Sequence, residues 1–469
     1  MMASGAGSDS PGNKTRSGGP GKCSNDILQS SDDDTRGQIT EAEKGAVEVG
    51  VGDTRTPTLA SVEEAGEEDE APDGGVTAWL VILGTWCSSF CAYGWVNSVG
   101  IFQEYYETGP LKEYTPSQIS WIPSLQIFFM SFLGPVIGRL NDAYGPRALM
   151  AAGSFLHVFG IMMASLSTEY YQILLAQGVC SAVGVAAVFV SALNCVSGWF
   201  DRRRGLAYGL LSTGSSLGGV AFPLIISNLL RTVGYGWAMR TCGFIILSAL
   251  AVANLTVRAR TLRTRAELSR KQMAKPFSER PFQWMLLGQF FVPFGLYVPI
   301  TYLPTAAIGA GMRKELAQNL VTFYNAGSLV GRLSSGILSD KAGKYNVFAC
   351  ACSTAGTLVL AMWIPAANDA VTVAFSVLFG VFSGAYISLL APLVAQISPP
   401  EEFGYRNGLT FLVSSIGGLT TSPIAGAILG GSGGWTGLKI FAGVMLLVGT
   451  VITFLARLEK TGLKWRAVF

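Results

Sequence analysis

Beyond residue 75 the chain is organised by long apolar runs broken by short polar links. The runs occupy residues 77–102, 118–138, 148–167, 170–194, 205–229 and 237–257, and then 282–308, 317–338, 345–364, 371–395, 405–429 and 436–457. Each offers about 20 helical residues, the length that crosses a hydrocarbon layer, and each is far too long for a barrel strand. A helix satisfies its own amides inside a bilayer, where no water can do so. The pattern predicts an all-α polytopic membrane protein with twelve transmembrane helices. The expected organisation is an acidic tail at 1–75, a first six-helix bundle at 76–257, a linker at 258–281, a second six-helix bundle at 282–457 and a short tail at 458–469.

The first segment reads differently from the rest. It is rich in Gly, Ser, Asp, Glu and Thr, has no aromatic residue, and closes on Glu63, Glu64, Glu67, Glu68, Asp69 and Glu70. Such a stretch buries too little apolar area to offset the entropy of ordering, so a disordered tail is expected. The chain does not begin with a short basic head and an apolar core, so no cleaved signal peptide is expected.

Half of all residues are hydrophobic and only 13% are charged, which a water-soluble globule hides poorly. The formal charge of +3 conceals a division: residues 1–75 carry 16 acidic and 6 basic side chains, and the remainder carries 14 and 27. The basic residues crowd alternate links, at Arg139 and Arg147, at Arg202, Arg203 and Arg204, at Lys341 and Lys344, and through the linker from Arg258 to Arg280. The opposite links hold Glu104, Glu107, Lys112, Glu113, Glu169 and Asp369, with Arg231 and the cluster Arg313, Lys314 and Glu315 as partial exceptions. Basic links beside membrane spans mark the cytoplasmic side, which places both termini there. Topology thus explains the charge without nucleic acid as a partner, and the linker offers a surface to anionic membrane lipids.

Function classes narrow further. Cys87 and Cys91 share a helical face, but His157 is the only histidine, so no metal constellation is present. A nucleotide-binding glycine loop is absent, and no nucleophile and base pair has supporting spacing. Neither enzyme chemistry nor a cofactor is expected, and any transport would draw on a gradient.

The two halves repeat. Gly138, Asp142 and Gly145 recur at one spacing as Gly336, Asp340 and Gly343, 198 residues on, and Gly209, Ser215, Ser216, Gly218 and Gly219 recur as Gly408, Ser414, Ser415, Gly417 and Gly418, 199 residues on. A six-helix duplication of this kind lets two bundles rock about a central site. In the links, Gly138 and Gly145 permit close approach and a tight turn. Asp142 is expected to accept hydrogen bonds from amides at the start of span 3 or to pair with Arg139 or Arg147, and Asp340 to do the same in the other half.

Within the spans one charge stands out. Arg332 follows Phe323, Tyr324, Asn325 and Gly327 in an apolar run, where an ionised group must face a polar cavity or find a partner. A guanidinium clamps a carboxylate with parallel hydrogen bonds. The competing reading has it bracing the gate near Asp340. Tyr93, Asn97 and Ser98 at the end of span 1 add polar and aromatic candidates, as do Gln126, Gln177, Asn194, Gln289, Tyr297, Tyr302, Tyr324, Asn325 and Tyr386.

At its loops the chain resembles the major facilitator superfamily, and specifically the fungal branch of the monocarboxylate transporter family. Gly138, Asp142, Gly145 and Arg147 carry the superfamily loop signature. Asp73, Gly74 and Gly75 before span 1, and Trp199, Phe200, Asp201, Arg202, Arg203, Arg204, Gly205, Leu206 and Ala207 before span 5, carry the narrower match. The resemblance implies a major facilitator fold in the cell membrane. It also implies a secondary active transporter of a small organic acid, monocarboxylate-like, or of a related metabolite. Animal carriers of that family couple the acid to a proton through a helix 1 lysine and an aspartate and arginine in helix 8. Here Asn97 stands at the lysine and Ser328 at the aspartate, while Arg332 matches the arginine. Protons stay a candidate coupled species and symport the family expectation. Efflux of a fungal secondary metabolite is the alternative, and a transporter-like sensor the other class.

Overall fold

The computed structural model describes residues 71–260, 269–366 and 368–462. The tail expected at 1–75 lies almost wholly outside the described residues, as does most of the tail expected at 458–469.

Twelve long helices follow one another through the described chain. They are α1 (Val76–Asn97, resuming after Ser98 as Val99–Thr108), α2 (Trp121–Phe132, resuming as Gly134–Tyr144), α3 (Pro146–Ala164), α4 (Tyr170–Val196), α5 (Arg204–Thr232) and α6 (Gly234–Thr256). Then come α7 (Arg280–Gly309), α8 (Lys314–Ala342), α9 (Lys344–Trp363), α10 (Asp369–Ile397), α11 (Phe403–Gly430) and α12 (Gly434–Thr461).

Eleven helices among the described residues are long and apolar enough to cross a membrane, and α8 is the exception. Its length is 29 residues, but it carries Lys314, Glu315, Arg332, Asp340 and Lys341. The polar side chains share one face: Asn325, Ser328, Arg332, Ser335 and Ser339 are all buried. The opposite face presents Val330, Ile337 and Leu338 outward. This inverted amphipathicity suits a bilayer, where protein neighbours rather than solvent must satisfy polar groups.

α1 packs on α4, α5 and α6, and α3 on α4 and α6; in the second half α7 packs on α11 and α12, and α8 and α9 on α10. Several helix pairs cross between the halves, α5 also touching α10 and α4 touching α11, and two crossings are the most extensive. α5 lies along α8, and α2 lies along α11. The repeat relates these two crossings, since α5 corresponds to α11 and α8 to α2.

The links carrying the repeated glycines and aspartates are shorter than the apolar pattern suggests. Gly138 and Asp142 still belong to α2, and Gly336 and Asp340 to α8. Intrahelical hydrogen bonds continue past the point where hydropathy falls, because the last turn needs no apolar surroundings. The stops are Gly145 at φ 78° and Gly343 at φ 90°, left-handed positions that end the helices. The basic links, with both repeated motifs, share one end of the helices, termed here the basic face.

Candidate functional site

Each repeated aspartate reaches across to the other half. The Asp340 carboxylate accepts from the Gly205 amide (2.7 Å) and the Leu206 amide (2.9 Å) at the start of α5. The Asp142 carboxylate accepts from the Gly404 amide (3.1 Å) and the Tyr405 amide (2.8 Å) at the start of α11. These amides are among those a helix leaves unsatisfied in its first turn, and the positive end of the helix dipole favours an anion there. The sequence points to the start of α3 or to Arg139 and Arg147 as partners of Asp142; the amides it meets instead of those of α3 start a helix more than 260 residues away. A sequence reading of one half cannot see that neighbour.

Around these latches the backbones touch. A Cβ on Gly138 would run into the Gly404 carbonyl, one on Gly134 would lie 2.8 Å from the Gly408 carbonyl, and one on Gly336 would lie 3.0 Å from the Gly209 Cα. Helices this close leave no passage between α2 and α11 or between α5 and α8. Arg139 is half-buried beside the latch, and Arg147 is exposed in the first turn of α3.

The residues before α1 and α5 form a bracket on the same face. Burial alone would raise the Asp73 carboxyl, but the amides of Arg203, Asp201 and Arg202 outweigh it and hold it below its ordinary value. The bonds to Asp201 and Arg203 are 2.8 and 3.1 Å. Gly75, at φ 86°, turns the chain into α1 just after Gly74. Phe200 is fully buried with the Trp79 ring edge-on at 5.3 Å, and Trp199 donates its indole N–H to the Arg258 carbonyl (2.8 Å). Arg202 and Arg203 point to the surface, Arg204 pairs with Asp201 at 3.0 Å, and Ala207 is buried. None of the three arginines approaches the middle of the molecule.

The second half supports its latch with charge, through three residues that sequence reasoning missed. Arg406 is fully buried, donates to both Glu279 oxygens at 2.6 and 3.0 Å, and donates to Glu402 at 2.6 and 2.8 Å. Its guanidinium also covers the Phe282 ring at 5.3 Å. That partnership holds the Glu279 carboxyl below its ordinary value. One signal was available: at the 199-residue offset Arg406 replaces Ala207 and Glu402 replaces Arg203.

Deeper in the molecule, Arg332 is 3% exposed. It donates to Ser328 on its own helix (3.0 Å), and across the interface to the Ser212 carbonyl of α5 (2.6 Å) and to the Ser215 hydroxyl. No carboxylate among the described residues pairs with it. Tyr93 and Tyr324 lie within electrostatic reach. Tyr93 packs edge-on against Phe189 at 4.9 Å, and Phe189 meets Phe411 of α11 at 6.0 Å, so an aromatic wall spans both halves. Asn97 and Asn325 flank Gly219 from opposite halves.

Other sequence candidates divide. Gln289 accepts from the Tyr386 hydroxyl at 2.9 Å, and Asn194 accepts from Asn407 of the other half at 2.9 Å; each leaves its amide nitrogen unpartnered among the described residues. Gln177 is tied instead to Tyr106 (2.7 Å) inside the first six helices, His157 bonds Ser181 there at 2.9 Å, and Tyr302 reaches only the Ser422 carbonyl. Among the described residues no group of His, Cys, Asp and Glu is arranged to hold a metal ion.

Known proteins share this architecture and sequence. The model of the Major Facilitator Superfamily matches residues 78–366 and again 285–468. The MFS transporter asaE of Aspergillus flavus is 53% identical, over 87% of this chain and 94% of its own length. The Fujikurins efflux protein of Gibberella fujikuroi is 49% identical over 84% and 85%, and the Agnestins efflux protein AgnL12 of Paecilomyces divaricatus 38% identical over 88% and 95%. Among solved structures, the MFS transporter FucP in its outward conformation superposes with a TM-score of 0.66 at 18% identity, covering 81% of this chain and 99% of its own. A bacterial homologue of the iron transporter ferroportin does so with a TM-score of 0.66 at 15% identity, covering 81% and 99%. With the fold, the repeat and these relatives in agreement, the chain belongs to the Major Facilitator Superfamily and is a multi-pass membrane transporter.

Proposed function

We propose that this transporter exports an organic metabolite from the cell, rocking two six-helix bundles (76–257 and 282–457, joined by the linker 258–281) about a central site. The observation that carries the reading is the pair of relatives named as efflux proteins, which align over more than four fifths of this chain. In this reading the basic face is cytoplasmic, both termini lie on that side, and the membrane is the cell membrane. The latches at Asp142 and Asp340, with Gly138, Arg139, Gly145 and Arg147, form the cytoplasmic gate.

The central site is assigned to Arg332, Ser328, Tyr93, Asn97, Tyr324 and Asn325. A buried cation without a carboxylate partner favours a cargo that brings its own negative charge, and the aromatic wall favours an unsaturated body. In sealed inverted vesicles, acidic metabolites extracted from the producing cells should accumulate saturably, and Arg332→Gln should weaken their apparent affinity about tenfold or more while sparing neutral cargo. Unchanged affinity and turnover for every transported acid would remove Arg332 from the site.

The second reading, symport of a short monocarboxylate with a proton, draws on the motif around Trp199 and on Arg332. The proton-carrying aspartate of animal carriers has no counterpart at Ser328. Uptake of a short acid driven by an imposed pH gradient would favour this reading over export.

A further inference from the structure

Beside the Asp142 latch, a groove of about 290 Å³ runs between α2, the linker and α11. Pro135, Val136, Leu140 and Tyr144 supply its α2 wall, Met273 comes from the linker, and Tyr405 from α11. We propose that this groove holds an anionic phospholipid of the leaflet at the basic face, and that the lipid braces the closed gate.

Three observations converge on that occupant. Val136, Leu140 and Tyr144 are exposed at a spacing of four, so the groove continues an apolar stripe that faces the bilayer. Charge gathers at its rim: Arg139 is half-buried within electrostatic reach of Tyr405, and Arg270 and Lys271 are exposed on the short linker helix Arg270–Ala274 that also carries Met273. No carboxylate is among the residues that line the groove, and Asp142 beside it is committed to the Gly404 and Tyr405 amides.

The third observation comes from the repeat. At the related crossing of α8 with α5, Arg139 is replaced by Ile337, Tyr144 by Ala342 and Tyr405 by Leu206. Both rings belong to one crossing alone and the cation changes place, Lys341 standing where the groove has Ala143, although the aspartate latch belongs to both crossings. Packing the helices therefore requires neither the rings nor a cation at the place of Arg139.

The direction of the effect follows from where the walls come from. Two are supplied by opposite halves and are joined only while α2 meets α11. A lipid that binds this joined form better shifts the population toward it. The Tyr405 hydroxyl already donates to the Met273 carbonyl at 3.4 Å, which places the linker in the same assembly.

The test is lipid retention by the purified full-length chain, read by native mass spectrometry. Phosphatidylglycerol and phosphatidylcholine of identical acyl chains are offered together, with glycerol phosphate as a soluble competitor. The proposal expects preferential retention of phosphatidylglycerol, no displacement by glycerol phosphate, and a loss of about fivefold in that preference for Arg139→Gln, the weight of one basic residue near an anionic surface. Equal retention of the two lipids, an unchanged preference in Arg139→Gln, or displacement by glycerol phosphate overturns it. Ala143→Leu fills the groove without touching the charge; it should reduce retention of phosphatidylglycerol, and undiminished retention overturns the proposal independently of how Arg139→Gln folds.

Discussion

The start of α5 and the start of α11 receive the same latch and rest on different ground. Beneath α5, Asp73 binds three successive amides, so support comes from the backbone. Beneath α11, Arg406 is clamped between Glu402 and Glu279, so support comes from buried charge. The duplicated part is the carboxylate that meets a helix start. What differs is how each helix start is held, which allows the two crossings to have unequal stiffness while closing by one chemistry.

The largest expected effect lies in the charged support. Arg406→Met strands Glu402 in a buried position, and breaking a buried pair from one side costs about 3–5 kcal/mol. Unfolding of the purified protein should show that loss, and Arg406→Met combined with Glu402→Gln should recover much of it. No recovery would mean that Arg406 acts through Phe282 packing rather than through charge.

The latches come next. Asp142→Asn and Asp340→Asn each weaken two charge-assisted bonds worth about 1.5–3 kcal/mol apiece. Opening of the basic face, read as the modification rate of a cysteine placed at Ser339, should rise roughly tenfold to a hundredfold in either variant. If the two crossings are unequal, Asp340→Asn should open more than Asp142→Asn; equal rates would dissolve the contrast.

The smallest effect is a pH dependence. Asp73 and Glu279 both titrate below their ordinary values in the folded protein. Their stabilisation is therefore complete above the unfolded carboxyl range, about pH 4, and is lost as pH falls through their folded values. Asp73→Asn and Glu279→Gln should each lower the melting temperature at neutral pH, where the carboxylate stabilisation is complete, and flatten the acid side of the profile so that variant and parent converge as pH falls from about 5 to 3. A shift of the same size at neutral and at acid pH would assign these residues to packing.

Much of this was legible in the sequence. Twelve apolar runs fix the helices, because a bilayer leaves the backbone few alternatives, and the 198-residue offset singles out Asp142 and Asp340 before any geometry is known. The partners of those aspartates were not legible. Amides carry no residue type, and the nearest ones along the chain, at the start of α3, are the obvious choice. Arg406 and Glu402 sit four apart near a helix start and read as a surface pair until Glu279, 127 residues earlier, closes over them. Arg332 was found because charge is rare in a span, yet its partners Ser212 and Ser215 look like any small residues that let helices approach.

That the latch receptors are amides has a bearing on how such a gate changes through descent. Every residue but proline supplies an N–H, so side chains at the receiving positions can be exchanged without unmaking the bond. Gly205 and Gly404 are held fixed by the close backbones around them, but Leu206 and Tyr405 occupy the same step of the repeat and have already parted company. A lineage can refit the neighbourhood of its gate while the closing action itself is inherited intact.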